Sequence, residues 1–256
     1  MTRGIALVRR PSGRLAEGLV THIERSDVDL AQARRQYEAY RAALAEAGWQ
    51  VREVAPADHC PDSVFVEDTV VVCDGLAVIT RPGAPQRRPE IPGTENAVRD
   101  AGLEVVRIEA PATLDGGDVL QVGTTVYVGL GGRTNSEGMS QLRAHLATRG
   151  RRVIPVPLRD VLHLKSAVTA LPDGTLLALP ELLDATALGQ SVRVVDEEAG
   201  CHVLPLGDDL VLLAASAPRT AALVADLDFT PVVVDIGEYE KLEGCVTCLS
   251  VLIPGV

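Results

Sequence analysis

The segment DVLQVGTTVYVGLGGRTNSEGMSQLRAHLATRGRRVIPVPL, residues 118–158, contains one complete structural unit. Two β-like runs, at 118–122 and 126–135, flank the turn GTT, where glycine supplies the positive φ of a tight hairpin. The next segment, SEGMSQLRAHLATRG, is compatible with a helix that a glycine ends, and the apolar run RVIPVPL follows. The unit is therefore predicted to be strand, turn, strand, helix, strand.

The same order recurs three more times along the chain. It is found in VFVEDTVVV (64–72) with LAVITRPG (76–83) and LEVVRIEAP, in SAVTALPDGTLLALP with the helical ELLDATALG and VRVVDEE, and in CHVLPLGDDLVLLAASAPRTAALVADLD with TPVVVDIG. The turns near Gly75, Gly123, Gly174 and Asp208 stand about 35 to 50 residues apart, which is the spacing of repeat architectures.

A fifth unit is divided between the two ends of the chain. The N-terminal part gives GIALVRRP, the helix DVDLAQARRQYEAYRAALAEAG with Ser26 or Asp27 as its cap, and WQVREVAP. The C-terminal VTCLSVLIP supplies the missing strand. Joining them closes a ring without an open edge. The predicted fold is an α/β propeller of five pseudo-symmetric ββαβ blades in one domain, residues 1–256, with loops from every blade meeting at a central axis.

Composition and charge exclude several functions. The net charge of −11 argues against a nucleic-acid surface, which would show a basic face. The chain has no apolar stretch of about 18 residues to span a bilayer and no secretory pattern at its start. Five cysteines, an odd number, do not resemble a disulfide framework. We therefore expect a cytoplasmic protein.

The tail EGCVTCLSVLIPGV places Cys245 and Cys248 three residues apart. A structural zinc needs four ligands, usually two such pairs, and the remaining cysteines are single. A thioredoxin-like pair precedes a helix, whereas LSVLIP is β-like. Two interpretations stay open: one working cysteine at the mouth of a strand, or two buried packing residues.

Several polar residues stand in or beside strands that ought to be apolar. Glu67 and Asp68 interrupt the run at 64–72, Asp115 and Asp118 flank two glycines, and His163 lies between leucines. Taken singly, these can be an edge strand, a turn and a core histidine. Together with Cys248 at one axis, they form the arrangement of nucleophilic acyl or amidino transfer.

The motifs FVEDT, ITRPGA, TLDGGDVL, RTN, LHLKS and TCLSVLI resemble, in order and spacing, those of the dimethylarginine dimethylaminohydrolase family. The resemblance runs from about residue 5 to the last strand. It implies the five-bladed α/β propeller known as the pentein fold, in agreement with the repeats. It also implies hydrolysis of Nω,Nω-dimethyl-L-arginine and Nω-monomethyl-L-arginine to L-citrulline and dimethylamine or methylamine.

By the same resemblance, each motif assigns a role to its residues. Cys248 is implied as the nucleophile, His163 as general acid and base, and Asp115 as the carboxylate that orients the histidine. Residues implied to bind substrate are Asp62, Glu67 and Asp68 at its cationic parts, Arg87 and Arg133 at the α-carboxylate, and the carbonyls of Leu19 and Leu242 at the α-amino group. Cys245 receives no role, and its side chain is expected to point elsewhere. Glu243 stands where the family has aspartate.

The expected partner is a small molecule, a methylated arginine, with no nucleic acid and no membrane. No metal and no organic cofactor are expected, and the oligomeric state is left open, a homodimer included. Two alternatives are an arginine deiminase, which is typically longer and carries an inserted helical domain, and a non-catalytic protein of the same fold. The latter would bind arginine derivatives, or resemble the ribosome anti-association factors, which lack the cysteine, histidine and carboxylates.

Overall fold

The computed structural model describes residues 2–183, 185–189 and 192–255. Within them the strands form five sheets of three strands each. In chain order these strands are β1 (Gly4–Val8), β2 (Gln50–Glu53), β3 (Val70–Cys73), β4 (Leu76–Ile79), β5 (Glu104–Arg107), β6 (Val119–Val122), β7 (Thr125–Leu130), β8 (Arg152–Pro157), β9 (Val168–Ala170), β10 (Leu176–Ala178), β11 (Val192–Val194), β12 (Val203–Gly207), β13 (Leu210–Ala214), β14 (Thr230–Val234) and β15 (Val251–Pro254).

Four sheets share one pattern of connections. Their strand orders are β3-β4-β5, β6-β7-β8, β9-β10-β11 and β12-β13-β14, with the first pair antiparallel and the second pair parallel. A tight turn joins each antiparallel pair, as at Asp74 and Gly75, whose φ values are 48° and 77°. A parallel pair needs a crossover, which accounts for the helical segment after each second strand.

The fifth sheet is built from both ends of the chain, as predicted. Its order is β15-β1-β2, and β1 pairs antiparallel with β15 from Gly4 opposite Pro254 to Leu7 opposite Val251. The other edge of β1 pairs parallel with β2. The last strand of the chain therefore completes the blade that the first strand begins.

The crossovers contain most of the helices. These are α1 (Leu30–Glu46), α2 (Ile91–Asp100), α3 (Ser136–Ala147), α4 (Pro218–Asp226) and the short α5 (Gly237–Glu240). The predicted helix at ELLDATALG is instead a 3-10 turn, Ala185–Leu188, in the described residues. The predicted cap of α1 was also wrong, because the Asp29 carboxylate accepts the N–H groups of Ala31 and Gln32. In the described part of the chain, none of the helices has the length and apolar character needed to cross a bilayer.

Five apolar clusters hold the sheets in a ring. Successive side chains of a strand point to opposite faces of its sheet. Each face of a sheet packs on a different neighbouring sheet. Ala77 and Ile79 of β4 pack toward β1 and β15, whereas Leu76 and Val78 pack toward β6 and β7. The other clusters join the sheet of β6 to that of β9, the sheet of β9 to that of β12, and the sheet of β12 to that of β1. The first two strands of each sheet are thus mostly buried between the two neighbouring sheets, whereas the third strand is more exposed.

Short turns precede the first strand of each unit, and they position the polar residues. The run 64–72 was predicted as a strand, but Val66–Thr69 forms a 3-10 turn and only Val70–Cys73 is β-structure. Gly116–Asp118 and Leu164–Ser166 are equivalent turns before β6 and β9. The three turns pack against one another in sequence. Glu67 and Asp68 therefore lie at the end of a blade, not in the middle of a strand.

Candidate active site

A narrow cleft lies where these turns meet. All the implied site residues line it except Asp115 and Glu67, and the full lining is Leu19, Asp62, Phe65, Asp68, Arg87, Arg133, Leu162, His163, Leu242, Glu243, Gly244 and Cys248. The cleft encloses about 20 Å³, whereas a cavity of about 940 Å³ adjoins it through Leu162, Glu243 and Gly244. The implied nucleophile Cys248 and the implied acid and base His163 line the smaller of the two.

The His163 ring is oriented by a buried carboxylate. Its Nε2 is 3.1 Å from Asp115 Oδ2, and the Gly83 N–H donates to Asp115 Oδ1 over 2.8 Å. The two side chains are almost wholly shielded from solvent. Asp115 therefore occupies one ring nitrogen and leaves Nδ1 for chemistry, the relation that the resemblance implies.

The other ring nitrogen faces a second carboxylate, because His163 Nδ1 lies 3.8 Å from Asp68 Oδ1. Burial alone would lower the pKa of His163. The negative charge of Asp68, the hydrogen bond with Asp115 and the charge of Asp118 outweigh it and raise the pKa to about 9. The imidazole is therefore a cation at neutral pH and has a proton to donate.

This pKa predicts how stability depends on pH. A folded-state pKa raised from 6.5 to about 9 stabilises the fold fully below pH 6.5, and the contribution disappears as the pH rises through 9. We expect the free energy of unfolding to fall by up to about 3 kcal/mol across that interval. Urea unfolding of the wild type and His163→Gln at several pH values tests this. The free energy of unfolding of the variant should not show this decrease with pH. An equal decrease in both proteins would contradict the assignment of the raised pKa to His163.

Asp68 belongs to a buried ion-pair network. Arg87 Nη1 donates to its Oδ2 over 2.5 Å, and the Gly117 N–H donates to its Oδ1 over 2.9 Å. Burial opposes its charge, but His163 and Arg87 hold the pKa of Asp68 well below its ordinary value. The resemblance implied that a cationic part of the substrate would be its partner, whereas the protein itself supplies a cation, Arg87.

Arg87 is occupied more fully than the sequence suggested. Besides Asp68 it binds Glu90, from Nε to Oε1 over 3.0 Å and from Nη2 to Oε2 over 2.9 Å. Its Nη2 also donates to the carbonyls of Asp62 and Phe65. These contacts do not support the implied role on a substrate carboxylate, since most of the guanidinium protons are directed at the protein.

Glu67 does not line the cleft. Lys165 Nζ donates to its Oε1 over 2.5 Å, and the Thr247 hydroxyl donates to its Oε2 over 3.1 Å. Glu67 and Lys165 instead line a separate cavity of about 130 Å³. Burial, opposed by Lys165, raises the pKa of Glu67 to about 7. The implied direct contact with substrate is not supported by this position.

The mouth of the cleft is formed by two loops. The Leu19 N–H donates to Asp62 Oδ1 over 2.9 Å. Arg133 Nη1 approaches Asp115 Oδ2 at 3.7 Å, too far for a direct hydrogen bond. Glu243, whose proximity to the site the sequence did not settle, accepts the N–H groups of Thr21 and His22 over 2.6 and 2.8 Å. It therefore fastens the segment after Leu19 to the turn that follows Leu242.

The C-terminal turn fixes the position of Cys248. Its N–H donates to the Cys245 carbonyl over 3.1 Å, and its own carbonyl accepts the Glu67 N–H over 3.2 Å. The buried Tyr40 hydroxyl donates to the Val246 carbonyl over 2.7 Å. The expectation that the Cys245 side chain points elsewhere was wrong, because its Sγ lies 3.1 Å from Cys248 Sγ. Cys245 is a direct neighbour of the candidate nucleophile.

Asp118 is a site residue whose part the sequence did not reveal. Its Oδ1 accepts the Leu164 N–H over 3.0 Å, and its Oδ2 accepts the Thr134 hydroxyl over 2.6 Å. It is fully buried, and burial raises its pKa to about 6. Asp118 thus fixes the turn that begins at His163. The second aspartate of TLDGGD was the available signal, but it was also compatible with an ordinary turn.

Comparisons with known proteins agree with one another. A family model described as arginine deiminase matches residues 55–215. The chain is 60% identical over 246 residues to the N(G),N(G)-dimethylarginine dimethylaminohydrolase of Streptomyces coelicolor, covering 96% of this chain and 95% of the relative. It is 36% identical over 248 residues to the protein of the same name from Pseudomonas aeruginosa, covering 95% and 97%.

Solved structures give the same result. The fold is similar, with a TM-score of 0.92 and 33% identity, to a dimethylarginine dimethylaminohydrolase variant in an adduct with S-methyl-L-thiocitrulline, over 99% of this chain and 100% of the other. A Pseudomonas aeruginosa variant complexed with citrulline has a TM-score of 0.90 at 33% identity and the same coverage.

Proposed function

Because the chain belongs to the arginine deiminase family and, within it, to the dimethylarginine dimethylaminohydrolases, we propose that it hydrolyses Nω,Nω-dimethyl-L-arginine and Nω-monomethyl-L-arginine. The products are L-citrulline and dimethylamine or methylamine. The observation that carries the proposal is the cleft itself, in which Cys248, His163 and Asp68 face one small space. A thiol, a cationic imidazole and a carboxylate are what hydrolysis of a guanidinium needs.

The first half of the reaction displaces the amine. A guanidinium is a resonance-stabilised cation and a poor electrophile, so a thiolate is needed to attack it. The Cys248 sulfur bonds to the guanidinium carbon and gives a tetrahedral adduct. His163 donates its Nδ1 proton to the dimethylamino nitrogen, the C–N bond breaks, and dimethylamine leaves. The substrate carbon stays on Cys248 as a thiouronium, and the imidazole is now neutral.

The second half releases citrulline. Neutral His163 accepts a proton from water at Nδ1, and the resulting hydroxide adds to the thiouronium carbon. The C–S bond then breaks, Cys248 departs as a thiolate, and the hydroxyl proton passes to solvent as the carbonyl forms. Asp115 keeps Nε2 occupied in both halves, so the same ring nitrogen gives and takes the proton.

The charged groups at the mouth fit the two ends of an amino acid. Asp62 and Asp68 offer carboxylates to the substrate cation and to its amino group, together with the carbonyls of Leu19 and Leu242. Arg133 is the better partner for the α-carboxylate, because its approach to Asp115 is long. Arg87 instead holds Asp68 in its ionised form, so we assign it to Asp68 rather than to the substrate.

Binding requires the mouth to open. The enclosed 20 Å³ is room for about one water molecule, far less than a methylated arginine needs. The contacts that close the mouth are those between Glu243 and the backbone of Thr21 and His22. They lie on the surface, so they are inexpensive to break and re-form.

The direct test is citrulline release by the purified protein from dimethylarginine, monomethylarginine and arginine. We expect kcat/KM to be at least about 100-fold higher for the methylated substrates than for arginine, a difference of about 3 kcal/mol. A preference for arginine would make the protein a deiminase. Binding of dimethylarginine without product would make it a binding protein and overturn the proposal.

A further inference from the structure

A buried chain of polar groups leads away from the nucleophile to residues that do not line the cleft. Cys248 Sγ lies 3.1 Å from Cys245 Sγ, which lies 3.2 Å from Thr247 Oγ1. The Thr247 hydroxyl donates to Glu67, and Glu67 is paired with Lys165. The reaction described above uses only the first of these five groups.

We propose that Cys245 is a positioning residue for the nucleophile, whose thiol donates a hydrogen bond to the Cys248 sulfur when that sulfur is negatively charged. Thr247 and Glu67 hold Cys245 in place for this contact. The inference rests on the proposed function, which takes Cys248 as the nucleophile and places a guanidinium beside it in the cleft.

The donors and acceptors of the chain support this role. With Cys248 protonated, its S–H can donate to Cys245, the Cys245 S–H to Thr247 and the Thr247 hydroxyl to Glu67, so every donor has an acceptor. Once Cys248 loses its proton, the Cys245 S–H can rotate away from Thr247 and donate its hydrogen bond to the Cys248 thiolate. Neither state leaves a buried donor unpaired, which would otherwise cost about 1–3 kcal/mol.

Two thiols this close titrate as a pair. The hydrogen bond between the sulfurs lowers the pKa of Cys245 and raises the pKa of Cys248. The pair therefore loses its first proton at a lower pH than a single buried thiol would, and its second proton at a higher pH. The charged groups that face the pair are Glu67 and Asp68 near Cys248 and His202 near Cys245. A guanidinium in the cleft lies beside Cys248 and draws the first negative charge to that sulfur.

The test compares Cys245→Ala, which removes the donor, with Cys245→Ser, which keeps one. Cys73→Ala is the matched control, since Cys73 is another buried thiol, at the end of β3 and outside the cleft. Each protein is alkylated with iodoacetamide over a range of pH without substrate. Fragmentation of the peptide covering residues 242–256 then locates the label on Cys248. Melting temperatures are measured in parallel to detect any loss of packing.

For Cys245→Ala, we expect the pH midpoint of Cys248 alkylation to rise by about one unit, since a hydrogen bond to a charged group has about that effect. We expect kcat/KM at neutral pH to fall about three- to tenfold. Cys245→Ser and Cys73→Ala should remain within about threefold of the wild type, with midpoints within a few tenths of a unit.

An unchanged midpoint in Cys245→Ala would overturn the proposal, and so would a shift in Cys245→Ser as large as that in Cys245→Ala. A lower melting temperature with an unchanged midpoint would reduce Cys245 to a packing residue. Because alkylation needs no substrate, this outcome is separate from a failure of the wild type to release citrulline, which would overturn the proposed function instead.

Discussion

Replacing Cys248 with serine is expected to lower citrulline release from dimethylarginine by at least about 10³-fold, because a serine hydroxyl is a far weaker nucleophile than a thiolate. The substitution is small and the residue is buried in a turn that backbone hydrogen bonds fix. The fold and the binding of dimethylarginine should therefore survive. Steady-state citrulline assays, with calorimetric binding as the second readout, measure both.

The matched control for this variant is Cys73→Ser, which exchanges the same atoms in a buried thiol outside the cleft. It should keep nearly all the activity. Normal turnover by Cys248→Ser would show that another group attacks the substrate. Loss of binding together with activity would show that the variant had damaged the cleft rather than the chemistry.

Asp68→Asn has the second largest expected effect. Its carboxylate binds Arg87, raises the pKa of His163 and lines the cleft near Cys248. Asparagine keeps the shape and one acceptor but loses the charge. We expect kcat/KM to fall at least about 100-fold, as for other single groups that stabilise charge in a buried site. The basic limb of the pH profile should also move to lower pH, since the imidazolium loses a negative neighbour.

Glu90→Gln is the control that separates chemistry from stability. Glu90 is the other carboxylate on Arg87, is equally buried and is not among the residues that line the cleft. Both variants should lose stability, by about 1–3 kcal/mol, because each weakens a charged hydrogen bond. Only Asp68→Asn should lose most of its activity. Equal activities of the two variants would mean that Asp68 serves the fold alone.

The ring of five blades could be predicted from the sequence because its signals are local. A glycine with positive φ, such as Gly75 or Gly123, marks a tight turn without any information from distant residues. Such turns recur at regular spacing along the chain. The closing pair of β1 and β15 followed from counting strands in the two terminal pieces. The prediction of the α1 N-cap was wrong although the signal is local, because several polar residues precede the helix. The helix begins at Leu30, and Asp29 is therefore the cap.

The partners of the charged site residues were not predictable in the same way. Glu67 meets Lys165 at a separation of 98 residues, and no local pattern indicates which of two adjacent carboxylates faces the cleft. The segment Val66–Thr69 was expected to be a strand but forms a 3-10 turn. In this turn Asp68 lies beside His163, and Glu67 contacts Lys165. The resemblance assigned roles to the motifs but could not show that Arg87 directs its N–H groups at Asp68 and Glu90.

The cysteine pair shows the same limit. The spacing of Cys245 and Cys248 argued against zinc and thioredoxin sites but left open one working cysteine or two packing residues, and only the resemblance selected Cys248. Spacing does not fix direction, however. The turn that joins the Cys248 N–H to the Cys245 carbonyl brings the two sulfurs to the same side. Only the conformation of that turn makes Cys245 a neighbour of the nucleophile.

Hydrolysis through a covalent bond to Cys248 is the step from which the other roles in the cleft follow. The most direct measurement is rapid acid quenching of the enzyme during turnover of dimethylarginine, followed by mass determination of the peptide covering residues 242–256. A thiouronium adduct on the Cys248 sulfur is the predicted result, with its amount rising and then decaying as substrate is consumed. An adduct on Cys245, or an unmodified peptide at every quench time while citrulline accumulates, would rule out Cys248 as the nucleophile.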